Sequence, residues 1–318
     1  MTKTTANHAP AIEVHGLTKT YAGGVEAVRG IDFIVAPGEV FGLLGPNGAG
    51  KSTTVGMLTT TIRPTSGTAR LAGYDVTHRP VDARRVSSVV FQESVLDRGL
   101  TGRRNLGLHV RLWRVDPSVA SHQLAELVEA FDLADVIDRP VETYSGGQRR
   151  RLEIARALLS SPKVLFLDEP TVGLDTRIRY ELLDLIAGLR RRTEMTTLIT
   201  THYLDEAQRL CDRIAIVSDG RIVAMDTPTG LVGALGHEIV EVRVDGDPVA
   251  ALALLRARGL ADTDGIAVGA TITLPLRERP LSTTRALVEQ LLPTSIVTVR
   301  PPGLDDVYLR LTGDAVAA

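Results

Sequence analysis

Residues 45–52 read GPNGAGKS and match G-x-x-x-x-G-K-[ST], a loop whose backbone N–H groups wrap nucleotide phosphates. Gly45, Gly48 and Gly50 allow the turns and close approach that a Cβ would block, with Pro46, Asn47 and Ala49 completing the loop. Lys51 reaches the β- and γ-phosphates, and the Ser52 hydroxyl takes a Mg2+ position. A helix opening near Thr53 adds the partial positive charge of its N-terminus. The chain has only four lysines, Lys3, Lys19, Lys51 and Lys163, so one of them falling in this loop argues against a chance Gly-rich turn.

A second element, this one acidic, lies at 164–169, VLFLDE. A carboxylate closing a buried strand beside such a loop can hold Mg2+ through water, which suits Asp168. Glu169 is then placed to orient or deprotonate an attacking water. His202 closes the next core strand and can contact a γ-phosphate. Gln92 ends another strand, and its amide oxygen could complete the Mg2+ shell. Tyr21, in a Thr-Lys-Thr-Tyr loop, could stack on an adenine ring. Read alone, Asp168 fits a helix cap, His202 a structural histidine and Tyr21 a surface turn. At 144–148 the sequence is YSGGQ, where Ser145, Gly146, Gly147 and Gln148 open a helix and build another phosphate-binding N-terminus. One nucleotide does not need two cradles from one domain, so this one suits the γ-phosphate bound to a partner subunit.

The elements that position these residues follow from pattern. Strands are expected at 12–17, 30–35, 40–44, 68–72 and 86–91, with the stretch after about 95 turning helical. Leu124, Leu127, Val128 and Phe131 recur at helical spacing after Asp116-Pro117, and a further helix follows Ser145. Then come an apolar strand at 164–167, a helix at 176–192, a strand at 196–200, and strands at 214–217 and 221–224 around the turn Asp219-Gly220. Apolar strands alternating with helices describe an α/β fold, a parallel sheet covered by helices. From about 227 a β-α-β-β-α-β order suggests a small ferredoxin-like domain without a cluster of catalytic residue types. The expected organisation is a disordered stretch at 1–10, a nucleotide-binding domain at 11–226 and an accessory α+β domain at 227–318.

Composition narrows the class. The chain has 318 residues, 44% hydrophobic and 23% charged, with a net charge of −2, which offers no electrostatic case for a nucleic-acid partner. The arginine runs at 149–151 and 190–192 read as solvated helix faces. Cys211 is the single cysteine, which excludes an internal disulfide and suits a small buried apolar role. No segment approaches 18 consecutive apolar residues and the N-terminus lacks a signal-peptide core, so a cytoplasmic place, or one at the inner face of a membrane, is expected.

These motifs in this order, Tyr21, GPNGAGKS, Gln92, SGGQ, VLFLDE, Gly173-Leu174-Asp175 and His202, resemble the ATP-binding cassette (ABC) transporter ATPases over residues 11–226. Tyr144, the 149–151 run and the tail at 303–313 are most similar to cassettes of ABC-2-type exporters of the daunorubicin-resistance kind. The segment 100–106 departs from their pattern, which usually has an acidic residue near Arg104. The resemblance implies the P-loop NTPase core with an antiparallel β subdomain and a helical signature subdomain. It implies ATP and Mg2+ as ligands, held by residues 45–53, Gln92 and Asp168, with Glu169 and His202 catalytic. It further implies a head-to-tail dimer, in which 145–148 of one chain complete the partner's site, and an integral-membrane permease as second partner. The function implied is ATP hydrolysis powering export of a drug, lipid or other small hydrophobic compound. The alternatives are an importer cassette, or an ABC ATPase acting on ribosomes or DNA. Ribosomal types usually carry two cassettes and DNA-associated types long coiled-coil arms, and this chain has one P-loop and a short gap between Gln92 and Ser145.

Overall fold

The computed structural model describes residues 9–192, 194–261, 265–276 and 281–313, without the side chains of 117 and 190–192. Most of the N-terminal stretch expected to be disordered and the side chains of the arginines at 190–192 fall outside what is described. Two compact units result, Met1–Val223 and Ala224–Ala318.

The first unit begins with β1 (Ile12–Thr20), β2 (Glu26–Val35), β3 (Val40–Leu44), α1 (Lys51–Leu58), β4 (Ser66–Leu71), β5 (Tyr74–Asp75), α2 (Pro80–Arg85) and β6 (Ser87–Val90). It continues through α3 (Gly102–Trp113), α4 (Pro117–Ala130), α5 (Gly146–Leu158), β7 (Val164–Asp168), α6 (Thr176–Arg192), β8 (Thr196–Thr201), α7 (Leu204–Leu210) and β9 (Arg213–Ser218). The unit boundary falls within β10 (Arg221–Asp226).

An antiparallel sheet has the order β2-β1-β4-β5. Its first two strands are longer than 12–17 and 30–35, because register shifts between Val14 and Leu17 and again near Thr18 and Thr20 break the period-2 alternation that marks a strand in sequence. The six-stranded sheet has the order β10-β9-β3-β8-β7-β6. Its central strands β3, β7 and β8 are buried at every position, as expected of parallel strands covered on both faces. β3 pairs in parallel with β8, β8 with β7 and β7 with β6, with Leu44 opposite Thr201, Thr200 opposite Asp168 and Leu167 opposite Val90. The C-terminal ends of four strands therefore form one rim. Asp219 and Gly220 close the β9–β10 turn, both at positive φ, 47° and 73°, the signature of a type I′ hairpin.

The core joins the two sheets around α1. Ile12, Val14, Phe33, Phe41, Met57, Leu58, Leu71 and Phe166 pack together, with Phe33 stacked on Phe41 at 5.2 Å. Burying a side chain of this size stabilises by about 1.5–3 kcal/mol. Six of the eight residues of α1 are buried, so its helical form comes from packing. Cys211 is buried too, against Gly42, where an added Cβ would come within 2.8 Å of the sulfur.

In the helical segment, Thr101 caps α3 by accepting from the Arg104 N–H, and Asp116 caps α4 with Pro117 in the first turn. Arg104 itself stands exposed. His109 on α3 is buried edge-on to Trp113, and burial, with the Arg156 charge second, brings its pKa down to about 4. Its folded pKa lies below the unfolded value near 6.5, so the unfolded chain gains the proton first. Stability is fully present above pH 6.5 and declines as pH falls toward 4. His109→Leu is expected to lose about 2 kcal/mol less than the wild type between pH 7 and pH 5, read by urea unfolding at the two pH values.

The second unit contains α8 (Pro228–Gly233), β11 (Glu238–Arg243), α9 (Pro248–Ala257), β12 (Ile266–Val268), β13 (Thr271–Leu276), α10 (Leu281–Leu291), β14 (Ile296–Arg300) and α11 (Leu304–Thr312). The sheet order is β12-β13-β11-β14, antiparallel throughout, the split β-α-β pattern of ferredoxin-like domains. Val240, Val242, Leu252, Leu255, Ile272, Leu274 and Val288 form its core. Arg300 bridges Glu241 on β11 and Asp306 in the first turn of α11, each at 2.7 Å, which anchors the last helix.

Candidate nucleotide and catalytic site

The strand order dictates what meets at the rim. β3 leads into the glycine loop, β8 into His202, β7 into Asp168 and Glu169, and β6 ends two residues before Gln92. Gly45 passes so close to the Val217 carbonyl that a Cβ would overlap it, and Gly50 adopts φ 100° directly before α1. Ala49 is buried, whereas Asn47 and Gly48 face outward. Tyr21 is exposed and its hydroxyl lies 3.3 Å from Thr53 Oγ1, beside the first turn of α1.

Lys51 is 4% exposed and fully engaged. Its ammonium donates to the carbonyls of Gly45 at 2.8 Å and Pro46 at 3.1 Å, and pairs with Glu169 Oε1 at 3.2 Å. The same Oε1 lies 3.4 Å from His202 Nδ1, and the imidazole packs on the Tyr203 ring at 4.2 Å. Ser52 donates to Asp168 Oδ1 at 3.2 Å. Five residues from three segments thus converge: Lys51, Ser52, Asp168, Glu169 and His202.

Two features hold the acidic pair, and local sequence pattern singled out neither. Thr200 is fully buried, donates to Asp168 Oδ1 at 2.5 Å and accepts the Glu169 N–H at 2.9 Å. One hydroxyl sets both carboxylate residues. The signal available was the strand TTLITT, whose threonines are buried at every position and so must find partners. Glu169 has φ 46°, a left-handed conformation that costs a non-glycine residue about 1–3 kcal/mol and turns its side chain toward Lys51.

The arginine run at 149–151 is not a solvated face, which corrects the sequence expectation. Arg150 is buried and donates to the carbonyls of Phe91, Asp168, Glu169 and Pro170 as well as to Glu153. Arg149 donates to the Tyr144 carbonyl, and Arg151 pairs with Asp132 and Glu181. The pattern failed because the strand ends and loops around α5 supply partners that lie far away in sequence.

Glu206 on α7 was likewise unforeseen. It is 1% exposed, accepts from Thr171 Oγ1 and from Thr201 Oγ1 at 2.8 Å, and ion-pairs with Arg179 at 3.1 Å. Burial raises its carboxyl pKa. Removing one member of a buried pair costs about 3–5 kcal/mol, because its partners lose their acceptor. Glu206→Ala is therefore expected to lower the unfolding free energy by about 3 kcal/mol or more in denaturant titration, and Glu206→Gln, which keeps one acceptor, by less.

Ser145–Gln148 stand apart from this cluster. Ser145 caps α5 by accepting the Gln148 N–H at 3.2 Å, and the Gln148 side chain accepts the Ser145 N–H at 2.9 Å, a complete capping box. Ser145 and Gly146 are exposed, and Gly147 packs on Ile178 with no room for a Cβ. Among the described residues, none of the four hydrogen-bonds to the phosphate loop. Gln92 is exposed, with no hydrogen bond to Ser52 or Asp168 among the described residues.

The chain has counterparts among known proteins. Residues 28–172 match the family described as ABC transporter. The daunorubicin/doxorubicin resistance ATP-binding protein DrrA of Streptomyces peucetius is 43% identical over 314 residues, covering 95% of this chain and 92% of that protein. The chain belongs to the ATP-binding proteins of the ABC transporter family. The Nod factor export ATP-binding protein I of Ralstonia nicotianae is 38% identical over 96% of this chain and 94% of its own length. Among solved structures, a dimeric ATP-binding cassette in a post-hydrolysis state bound to ADP and Pi aligns with a TM-score of 0.62 and 25% identity. The alignment covers 68% of this chain and 98% of that one. The chain is accordingly an ATP-binding ATPase coupled to transport.

Proposed function

We propose that this ABC ATPase powers export of a drug, lipid or other small hydrophobic compound through a separate membrane-embedded permease, from the cytoplasmic face of the membrane. The observation that carries the catalytic part is the single cluster of Lys51, Ser52, Asp168, Glu169 and His202 at the strand rim. ATP lies with its adenine against Tyr21 and its phosphates along 45–53. Lys51 exchanges the Gly45 and Pro46 carbonyls and Glu169 for phosphate oxygens. Glu169, released from Lys51, takes a proton from the attacking water, and His202 holds the carboxylate and the γ-phosphate in register.

The Ser52 hydroxyl and the Asp168 carboxylate, 3.2 Å apart, form an all-oxygen donor pair suited to a hard cation. They would hold Mg2+, with Gln92 as a further donor, and the cation would offset charge on the phosphate oxygens. The exposed Ser145 and Gly146 at the N-terminus of α5 support the second half of the reading. Two copies pair head to tail, and 145–148 of each chain close on the γ-phosphate held by the other. Hydrolysis reopens the pair and drives the permease. No helix among the described residues is long and apolar enough to cross a membrane, which accords with a separate transport subunit. The export assignment rests on the names of the relatives, and the unit from 224 onward serves regulation or pairing.

Glu169→Gln chains incubated with ATP, captured in mild detergent and analysed by mass spectrometry, test the whole. A stoichiometric multi-span membrane protein is the expected companion. Ribosomal or DNA-associated partners without one would overturn the reading.

A further inference from the structure

Arg150 lies one turn into α5, 7% exposed, and uses all five of its N–H donors. Nε donates to Pro170 O at 2.7 Å, one terminal nitrogen to Phe91 O at 2.6 Å and Glu153 Oε2 at 2.9 Å, and the other to Asp168 O and Glu169 O at 3.1 Å each. A single rigid guanidinium therefore grips three consecutive carbonyls that flank the left-handed bend at Glu169, together with the residue before Gln92. Glu153 balances its charge.

We propose that Arg150 is a positioning residue that fixes Glu169 and the Phe91–Gln92 loop of its own chain to the helix opened by Ser145. The planar fork suits this role, because its donors point in fixed directions and displacement of α5 carries the carbonyls with it. Because the N-terminus of α5 is assigned to the partner's nucleotide, the guanidinium links one ATP site to the other, and that linkage rests on the head-to-tail reading given above. Arg150 touches the backbone of Glu169, not the reacting atoms. Its loss should displace the base without altering the phosphate loop.

Arg150→Gln and Arg150→Lys in the full chain read this directly. Misplacing a catalytic group by about 1 Å costs on the order of 10²-fold in rate. The expected result is a kcat reduced about 10²-fold in Arg150→Gln, with KM for ATP within about two-fold of wild type. Partial rescue is expected in Arg150→Lys, which keeps the charge and three donors on a flexible stem. A raised KM with unchanged kcat, or wild-type kinetics in both variants, would overturn the proposal.

Mixed dimers purified through two different tags separate the roles, and the Lys variant serves where the Gln variant does not fold. With Arg150→Gln and Glu169→Gln in the same chain, the other chain keeps an intact base, and about half the wild-type rate is expected. With the two changes on separate chains, both bases are compromised and activity should be at least about ten-fold lower. Equal rates in the two arrangements would show that Arg150 does not act on its own chain's Glu169. The dimer reading has its own control in Gly146→Asp, a position where a Cβ meets only Leu174 at 3.5 Å. Paired with Glu169→Gln, it should abolish activity when both changes share a chain and spare one site when they are apart. Failure of that reversed pattern would remove the linkage between sites and leave the action of Arg150 on its own Glu169 standing.

Discussion

Glu169→Gln is expected to lose about 10²–10⁴-fold in ATP turnover while binding ATP as tightly as the wild type or more tightly. The amide keeps the shape of the carboxylate and can still accept a hydrogen bond, but it cannot take a proton from water. The bend that places residue 169 is held through backbone atoms, by the Thr200 hydroxyl on the N–H and by Arg150 on the carbonyl, so the substitution leaves it intact. Affinity should not fall, because the carboxylate competes with phosphate for Lys51 at 3.2 Å and an amide competes less. Single-turnover hydrolysis, with equilibrium binding of a fluorescent ATP analogue, checks both halves. Near-wild-type turnover would remove Glu169 from the role of general base.

Lys51→Ala should fail at the earlier step. A charge-assisted bond to phosphate contributes about 1.5–3 kcal/mol, so ATP affinity is expected to fall about 10- to 150-fold. In the nucleotide-free chain the substitution also leaves the buried Glu169 with only His202 as a charge partner among the described residues, at 3.4 Å. Wild-type chain should gain thermal stability with ATP concentration as RT ln(1 + [ATP]/Kd), and Lys51→Ala should lose that gain at concentrations that saturate the wild type. An unchanged ATP-dependent shift would count against Lys51 as the phosphate ligand. The two variants separate binding from chemistry. One traps ATP and the other does not hold it.

Arg150, Thr200 and Glu206 show why the remainder of the site was harder to read. Each is a polar side chain in a run that looks ordinary: an arginine triplet, a threonine-rich strand, a carboxylate on a short amphipathic helix. Each is buried and serves groups 18 to 59 residues away in sequence, Arg150 reaching back to Phe91 and forward to Asp168, Thr200 spanning to Asp168 and Glu206 to Thr171. No local periodicity records such pairings. The six-residue helices α2 and α8 were also unforeseen, being shorter than the window over which apolar spacing accumulates.

The sequence by itself singled out the stretches that depend on local backbone: the glycine loop with Lys51 and Ser52, the apolar strand leading to Asp168 and Glu169, and the helix opened by Ser145. Alternating apolar strands and helices determined the class of fold. These survive in sequence because a phosphate cradle, a cap and a buried strand each act within about ten residues. Tertiary structure alone decided that β3, β8, β7 and β6 end on one rim in that order. It decided too that Lys51 meets Glu169, and that a guanidinium on α5 grips the carbonyls beside that carboxylate. Those choices depend on strand order and register, which are set by packing across the sheet between residues the chain brings together only when folded.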